Sequence, residues 1–151
     1  MHTLLIASCG VLGIFLGAQI AEGMLIVPYW KRLSPEQFFT LHKNYGPKLY
    51  LFFAPLTIAA TFLPLLYAIY SFWFSDRSVS MEKILLTVSV LCFFSSYYLY
   101  FKKANQQFFK RTIADEKLPV ALITWEKWHW IRIGFASIAF ICVLLLLINP
   151  E

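Results

Sequence analysis

Trp125-Glu126-Lys127-Trp128-His129-Trp130-Ile131-Arg132 runs without a break into the apolar segment Ile133 to Ile148. At helical spacing residues 125, 128, 129 and 132 share one face, which therefore carries two indoles, an imidazole and a guanidinium. The same face continues through Ala136, Ala139 and Val143, small enough for close helix packing. A polar and aromatic cluster at the head of an apolar helix points to a site inside a membrane bundle. The plainer reading of the same residues is interfacial anchoring, with Trp in the headgroup layer and Lys127 and Arg132 snorkelling.

The rest of the chain bears on that choice. Of its 151 residues, 60% are hydrophobic and 19% aromatic, and the mean hydropathy is +0.66. Such a composition excludes an ordinary soluble domain and implies one integral membrane domain, residues 1–151, in contact with lipid. Four segments are long enough to span, at about 3–27, 49–74, 84–111 and 120–148. The expected fold is all-α, an integral membrane four-helix bundle, with a short amphipathic cytoplasmic helix at about 35–45 between the first two spans. Cys9, Cys92 and Cys142 lie in apolar runs without metal-like spacing and read as buried thiols. Ile6-Ala7-Ser8-Cys9 looks like a lipoprotein cleavage site, but no Lys or Arg precedes it, so the first segment is expected to be retained.

The net charge of +5 reflects basic loops and gives no reason to expect a nucleic-acid partner. Lys31, Arg32, Lys43 and Lys48 follow the first span; Lys102, Lys103, Lys110, Arg111, Lys117, Lys127 and Arg132 lie between the third span and the fourth. The loop between spans two and three holds only Arg77 and Lys83, offset by Asp76 and Glu82. Eleven of the 13 basic residues thus gather at one end, which is expected to be cytoplasmic, leaving both termini on the non-cytoplasmic side.

The first span has two faces. Gly13, Gly17 and Ala21 recur every fourth residue, a small-residue stripe that suits close approach of another helix, including one from a second copy of the chain. Roughly opposite lie Ser8, Phe15, Ala18, Gln19, Glu22 and Ile26. Glu22 is the acid inside an apolar span, six residues before Pro28 and so roughly 9 Å inside the membrane edge. An intramembrane carboxyl is costly unless partnered, which makes it a site candidate. Pro28 is expected to end this helix, with Tyr29-Trp30-Lys31-Arg32 at the interface. Ser34-Pro35-Glu36-Gln37 reads as a capping box opening the short helix, which carries His42 and stops near Gly46-Pro47. Pro55 and Pro64 interrupt the second span, which reads as wall. On the third, Thr87, Leu91, Phe94, Tyr98, Phe101 and Asn105 form one stripe.

Glu22, His42, Tyr98, Asn105, Trp125, His129 and Arg132 thus come from four segments, and the topology gathers them at the basic end. Glu22, His129, Asn105 and Arg132 are the candidate catalytic residues; Tyr98, Trp125, Trp128 and Gln19 are candidates for binding a substrate. Glu22, His42 and His129 supply the ligand types of non-haem iron or another transition metal, and haem held by His42 and His129 is the second cofactor reading. Imidazole and carboxylate also suffice to abstract a proton from an acidic carbon. With straight helices Glu22 lies about two turns deeper than His129, and a Glu22–Arg132 ion pair is the simplest structural alternative.

Ala21-Glu22-Gly23 leading to Pro28, a His in the following short helix, Asn105 after helix three, and Trp125, His129 and Arg132 opening helix four resemble the anthrone oxygenase-like family of small four-helix membrane proteins. Fungal members are associated with oxidation of polyketide anthrones to anthraquinones. The resemblance implies a membrane oxidoreductase, oxygenase-like, acting on an apolar aromatic or quinone-like small molecule. The glutathione-using four-helix membrane enzymes match in length and helix count, but helix two lacks their Arg and Asn-x-x-Glu pattern. Two other function classes fit the same residues: a non-catalytic haem-, quinone- or metal-binding membrane protein, and a purely structural one.

Overall fold

The computed structural model describes residues 1–74 and 80–149; the Asp76 and Arg77 part of the charge reading lies outside the described residues. The regular structure within them is helical throughout. Four stretches are long and apolar enough to cross a membrane: His2–Trp30, Pro35–Trp73, Met81–Lys110 and Asp115–Ile148.

The first is α1 (His2–Ala21), a π turn (Glu22–Ile26) and α2 (Val27–Trp30). Pro28 does not end it. The proline falls in the first turn of α2, where a missing N–H is tolerated, and the chain runs on helically to Trp30. Ser34 then caps α3 as the spacing predicts: its backbone N–H donates to Gln37 Oε1 at 3.0 Å, and the Gln37 N–H donates to Ser34 Oγ at 3.3 Å.

The separate short helix is corrected. α3 runs unbroken from Pro35 to Phe74, 40 residues, through Pro47, Pro55 and Pro64. Each proline removes one ladder bond, and neighbouring helices hold the rest in place. The third span is α4 (Met81–Ser96), a second π turn (Tyr97–Phe101) and α5 (Lys102–Lys110), which stops at Arg111 in the left-handed region, φ 51°. A 3-10 turn (Asp115–Lys117) leads into α6 (Leu118–Ile148).

α6 packs chiefly on α4 and α1, and α3 packs on α1 and α4. The buried face of α6 is Trp125, His129, Arg132, Ala136, Ala139 and Val143, the stripe read from the spacing, with Trp128 rotated partly out. A methyl added at Gly13 would meet Phe140 of α6 at 3.3 Å, so that part of the glycine stripe serves the chain's own packing; Gly17 and Ala21 lie on the exposed side.

Two apolar cores result. One, around Leu12, Phe15, Val90, Phe93, Ala136 and Ala139, fills the mid-bundle. The other, around Val27, Trp30, Phe38, Phe101, Phe108 and Trp125, fills the basic end. Gln19, Glu22, His129 and Arg132 are buried polar residues at the levels between them.

Candidate functional site

Both π turns flank this polar layer. In the first, the Val27 N–H reaches back five residues to the Glu22 carbonyl; in the second, the Lys102 N–H reaches Tyr97. Such turns widen a helix locally and recur at functional sites. At the first of them the helix admits an imidazole. His129, fully buried, places Nε2 2.9 Å from the Gln19 backbone carbonyl. A carbonyl only accepts, so Nε2 carries a proton and donates; when the ring is neutral its lone pair sits on Nδ1. Gly23 leaves room for that approach: a Cβ here would stand tightly, 3.1 Å from His129 Cδ2, 3.3 Å from its Nε2 and 3.2 Å from Trp130 Cζ2.

His129 Nδ1 lies 3.9 Å from Glu22 Oε2. The two groups are therefore level, which corrects the two-turn offset. α6 begins a full three turns before His129, and the first span continues helically past Glu22 to Trp30. The Arg132 guanidinium sits over two rings, 5.4 Å from the Phe15 centroid and 5.0 Å from that of Phe101. Among the described residues it makes no ion pair with Glu22 within 4.0 Å. Four buried polar side-chain atoms in this layer have no protein partner: both amide atoms of Gln19, His129 Nδ1 and Arg132 Nε. Such atoms are uncommon in folded proteins and mark a polar pocket.

A row of rings connects the two buried histidines. His42 meets Trp30 at 4.7 Å, Trp30 meets Trp125 at 5.4 Å, and Trp125 stacks on His129 at 4.8 Å and 18°. His42 itself is buried, with Nδ1 3.0 Å from the Phe38 carbonyl. Two indoles thus stand between the imidazoles. Among the described residues no three His, Cys, Asp or Glu side chains come together to hold a metal. The Glu22, His42, His129 metal set is not assembled, and the haem pair fails on the same separation, since His129 Nε2 is also engaged at Gln19.

Beside this row lies a cavity of about 590 Å³ between α3, the third span and the inner wall of α6. Glu22, Arg132, Trp125, Asn105, Tyr98 and His42 all line it, so the fold brings together six of the expected residues. Asn105 Oδ1 accepts a hydrogen bond from Trp125 Nε1 at 2.9 Å, which leaves its NH₂ group to face a ligand. Tyr98 stands at the rim, largely exposed. Gln19 and His129 do not line the cavity; they back Glu22 from behind. Trp128 does not line it either, and stacks instead on Tyr100 at 5.2 Å and 6°.

Several wall residues escaped the sequence reading. Trp30, expected as an interfacial anchor, is buried between the imidazole of His42 and the indole of Trp125. Tyr97, Phe53 and Lys102 also line the cavity, and Gly23 admits His129. The signal for Gly23 was its place next to the one intramembrane acid; the others carry none that separates them from lipid-facing aromatics. No family model matches the chain, and no curated protein or solved structure matches it.

Proposed function

We propose that this protein is a membrane-embedded oxidoreductase of the anthrone oxygenase-like kind, oxidising an apolar aromatic or quinone-like molecule held in the cavity at the basic end. The observation that carries the reading is the pairing of one carboxyl, Glu22, and one guanidinium, Arg132, on the inner wall of a cavity otherwise lined largely by aromatic and aliphatic side chains. That pairing suits a substrate whose CH₂ is made acidic by an adjoining aryl ketone. The Glu22 carboxylate takes a proton from the carbon. Arg132 and the Asn105 NH₂ stabilise the resulting enolate oxygen. His129 Nδ1, behind Glu22, relays the proton onward. Dioxygen is the oxidant: the two hydrogens leave the carbon, one oxygen atom becomes its carbonyl, and the other departs as water.

Oxygen uptake and quinone absorbance by the purified protein in nanodiscs, with anthrone and related aryl ketones as probes, test the proposal. Turnover that falls at least about a hundredfold in Glu22→Gln is expected for loss of a general base. Absence of oxygen uptake by the wild type across the probe set, or equal turnover in Glu22→Gln, overturns it.

A further inference from the structure

The cavity is polarised along the helix axis. Its lining on α3 runs from His42 to Ile58, sixteen residue steps, about 24 Å at helical rise. Toward the mid-bundle the walls are Ala54, Thr57, Ile58 and Phe94. Toward the basic end they are His42, Lys102, Asn105 and Gln106. Among the described residues no carboxylate lines that polar end; the acid of the lining, Glu22, lies on the inner wall. The Asn105 carbonyl oxygen is already engaged by Trp125, so this side chain offers donors. The Lys102 ammonium rests 5.9 Å from the Tyr98 ring centroid at the rim, and Lys48 rests 5.1 Å from that of Tyr45 on the facing helix. Tyr50, Ile58, Tyr98 and Phe109 are all about half exposed or more, so the slot opens sideways between α3 and the third span.

We infer that the ligand is an elongated amphiphile with an anionic head. It passes laterally from the lipid and is oriented with its acidic group at the Lys102 ammonium and its apolar body beside Phe53, Ile58 and Phe94. This inference rests on the cavity being the substrate site and adds the substrate class: an aryl ketone that also carries an acidic head group, rather than a wholly neutral one. The head fixes the depth of the body, so the same reach that seats the acid at the rim brings a chosen carbon to Glu22. A charge-assisted hydrogen bond, about twice as strong as a neutral one, imposes that polarity.

The test uses the full-length protein in nanodiscs of zwitterionic lipid, with pyrenedecanoic acid and its alcohol, pyrenedecanol, as probes. Binding is read as energy transfer from the protein's tryptophans, since Trp30 and Trp125 line the slot. The acid is expected to bind about tenfold more tightly than the alcohol, the worth of one charge-assisted contact. Lys102→Gln is expected to erase that preference while leaving the alcohol unchanged; Lys103→Gln, an exposed neighbour outside the lining, is expected to keep it. Equal affinity of acid and alcohol, a preference that survives Lys102→Gln, or no saturable transfer from either probe overturns the inference. Turnover of neutral aryl ketones with no acid preference would defeat the inference alone. Acid binding without turnover of any aryl ketone would defeat the oxidoreductase reading alone.

Discussion

Glu22 is held by its neighbours differently from a buried ion-pair partner. Arg132 rests between the rings of Phe15 and Phe101 rather than on the carboxylate, so removing the charge of Glu22 strands no direct partner. Glu22→Gln is therefore expected to lower stability by no more than about 1–2 kcal/mol, the scale of one altered hydrogen-bonding group, and not the larger loss of a broken buried pair. Thermal unfolding of the two proteins in the same detergent checks this. Gly23→Ala is the opposite case: its methyl would press on His129 and Trp130 at 3.1–3.3 Å and should cost about 1–3 kcal/mol. The double change with His129→Ala should cost less than the two singles together, because the clash and its target are removed at once. The polar members of the layer were legible because Gln19, Glu22, His129 and Arg132 stand out against apolar neighbours. Their relative depth was not, because it depends on where each helix begins, and the apolar run of the fourth span starts well after its first helical turn. Trp128 was misplaced by the wide arc that a face of 3.6 periodicity leaves open: residues 125, 128, 129 and 132 cannot all point at one line.

Among the elements, the helices were legible and their joints were not. Gly46-Pro47 carries the local signature of a stop, yet α3 passes through it, since a proline deletes a single bond that forty residues of packing outweigh. The π turns have no composition of their own. Their effect is rotational: one extra residue in the turn shifts everything beyond it by about 100°. Deleting Leu99, which points outward at 74% exposure, should return Tyr97–Phe101 to ordinary helix and swing α5 away from α6. The Trp125–Asn105 hydrogen bond would be lost, and Lys102 would leave the rim. A large change in tryptophan emission and a loss of acid-probe binding, with helical content retained by circular dichroism, are the expected readouts.

For the whole molecule, the crowding of basic residues predicts that the cavity end faces the cytoplasm. Expressed in bacteria, a C-terminal fusion to alkaline phosphatase should be active and a fusion to a cytoplasm-only fluorescent reporter dark. The ion pair of Lys31 with Glu126 ties the end of the first span to α6 at that same level, so the end is braced as well as charged.

The three prolines of α3 bear on how such a bundle responds to force. Each leaves the carbonyl four residues earlier, on Lys43, Leu51 and Ala60, without its helical donor, so α3 is a softer rod than α6, whose proline lies only in its first turn. Pro47 is itself part of the slot's wall, and Pro55 interrupts the helix between Ala54 and Thr57 of that wall. A helix interrupted by three prolines takes up more bending than the stiffer α6. Tension or thinning of the bilayer would then register mainly as a change in the gap beside α3, and the rate of ligand exchange would follow the mechanical state of the lipid. Acid-probe off-rates should rise in short-chain nanodiscs and fall in long-chain ones, and a Pro47→Ala, Pro55→Ala protein should lose most of that difference.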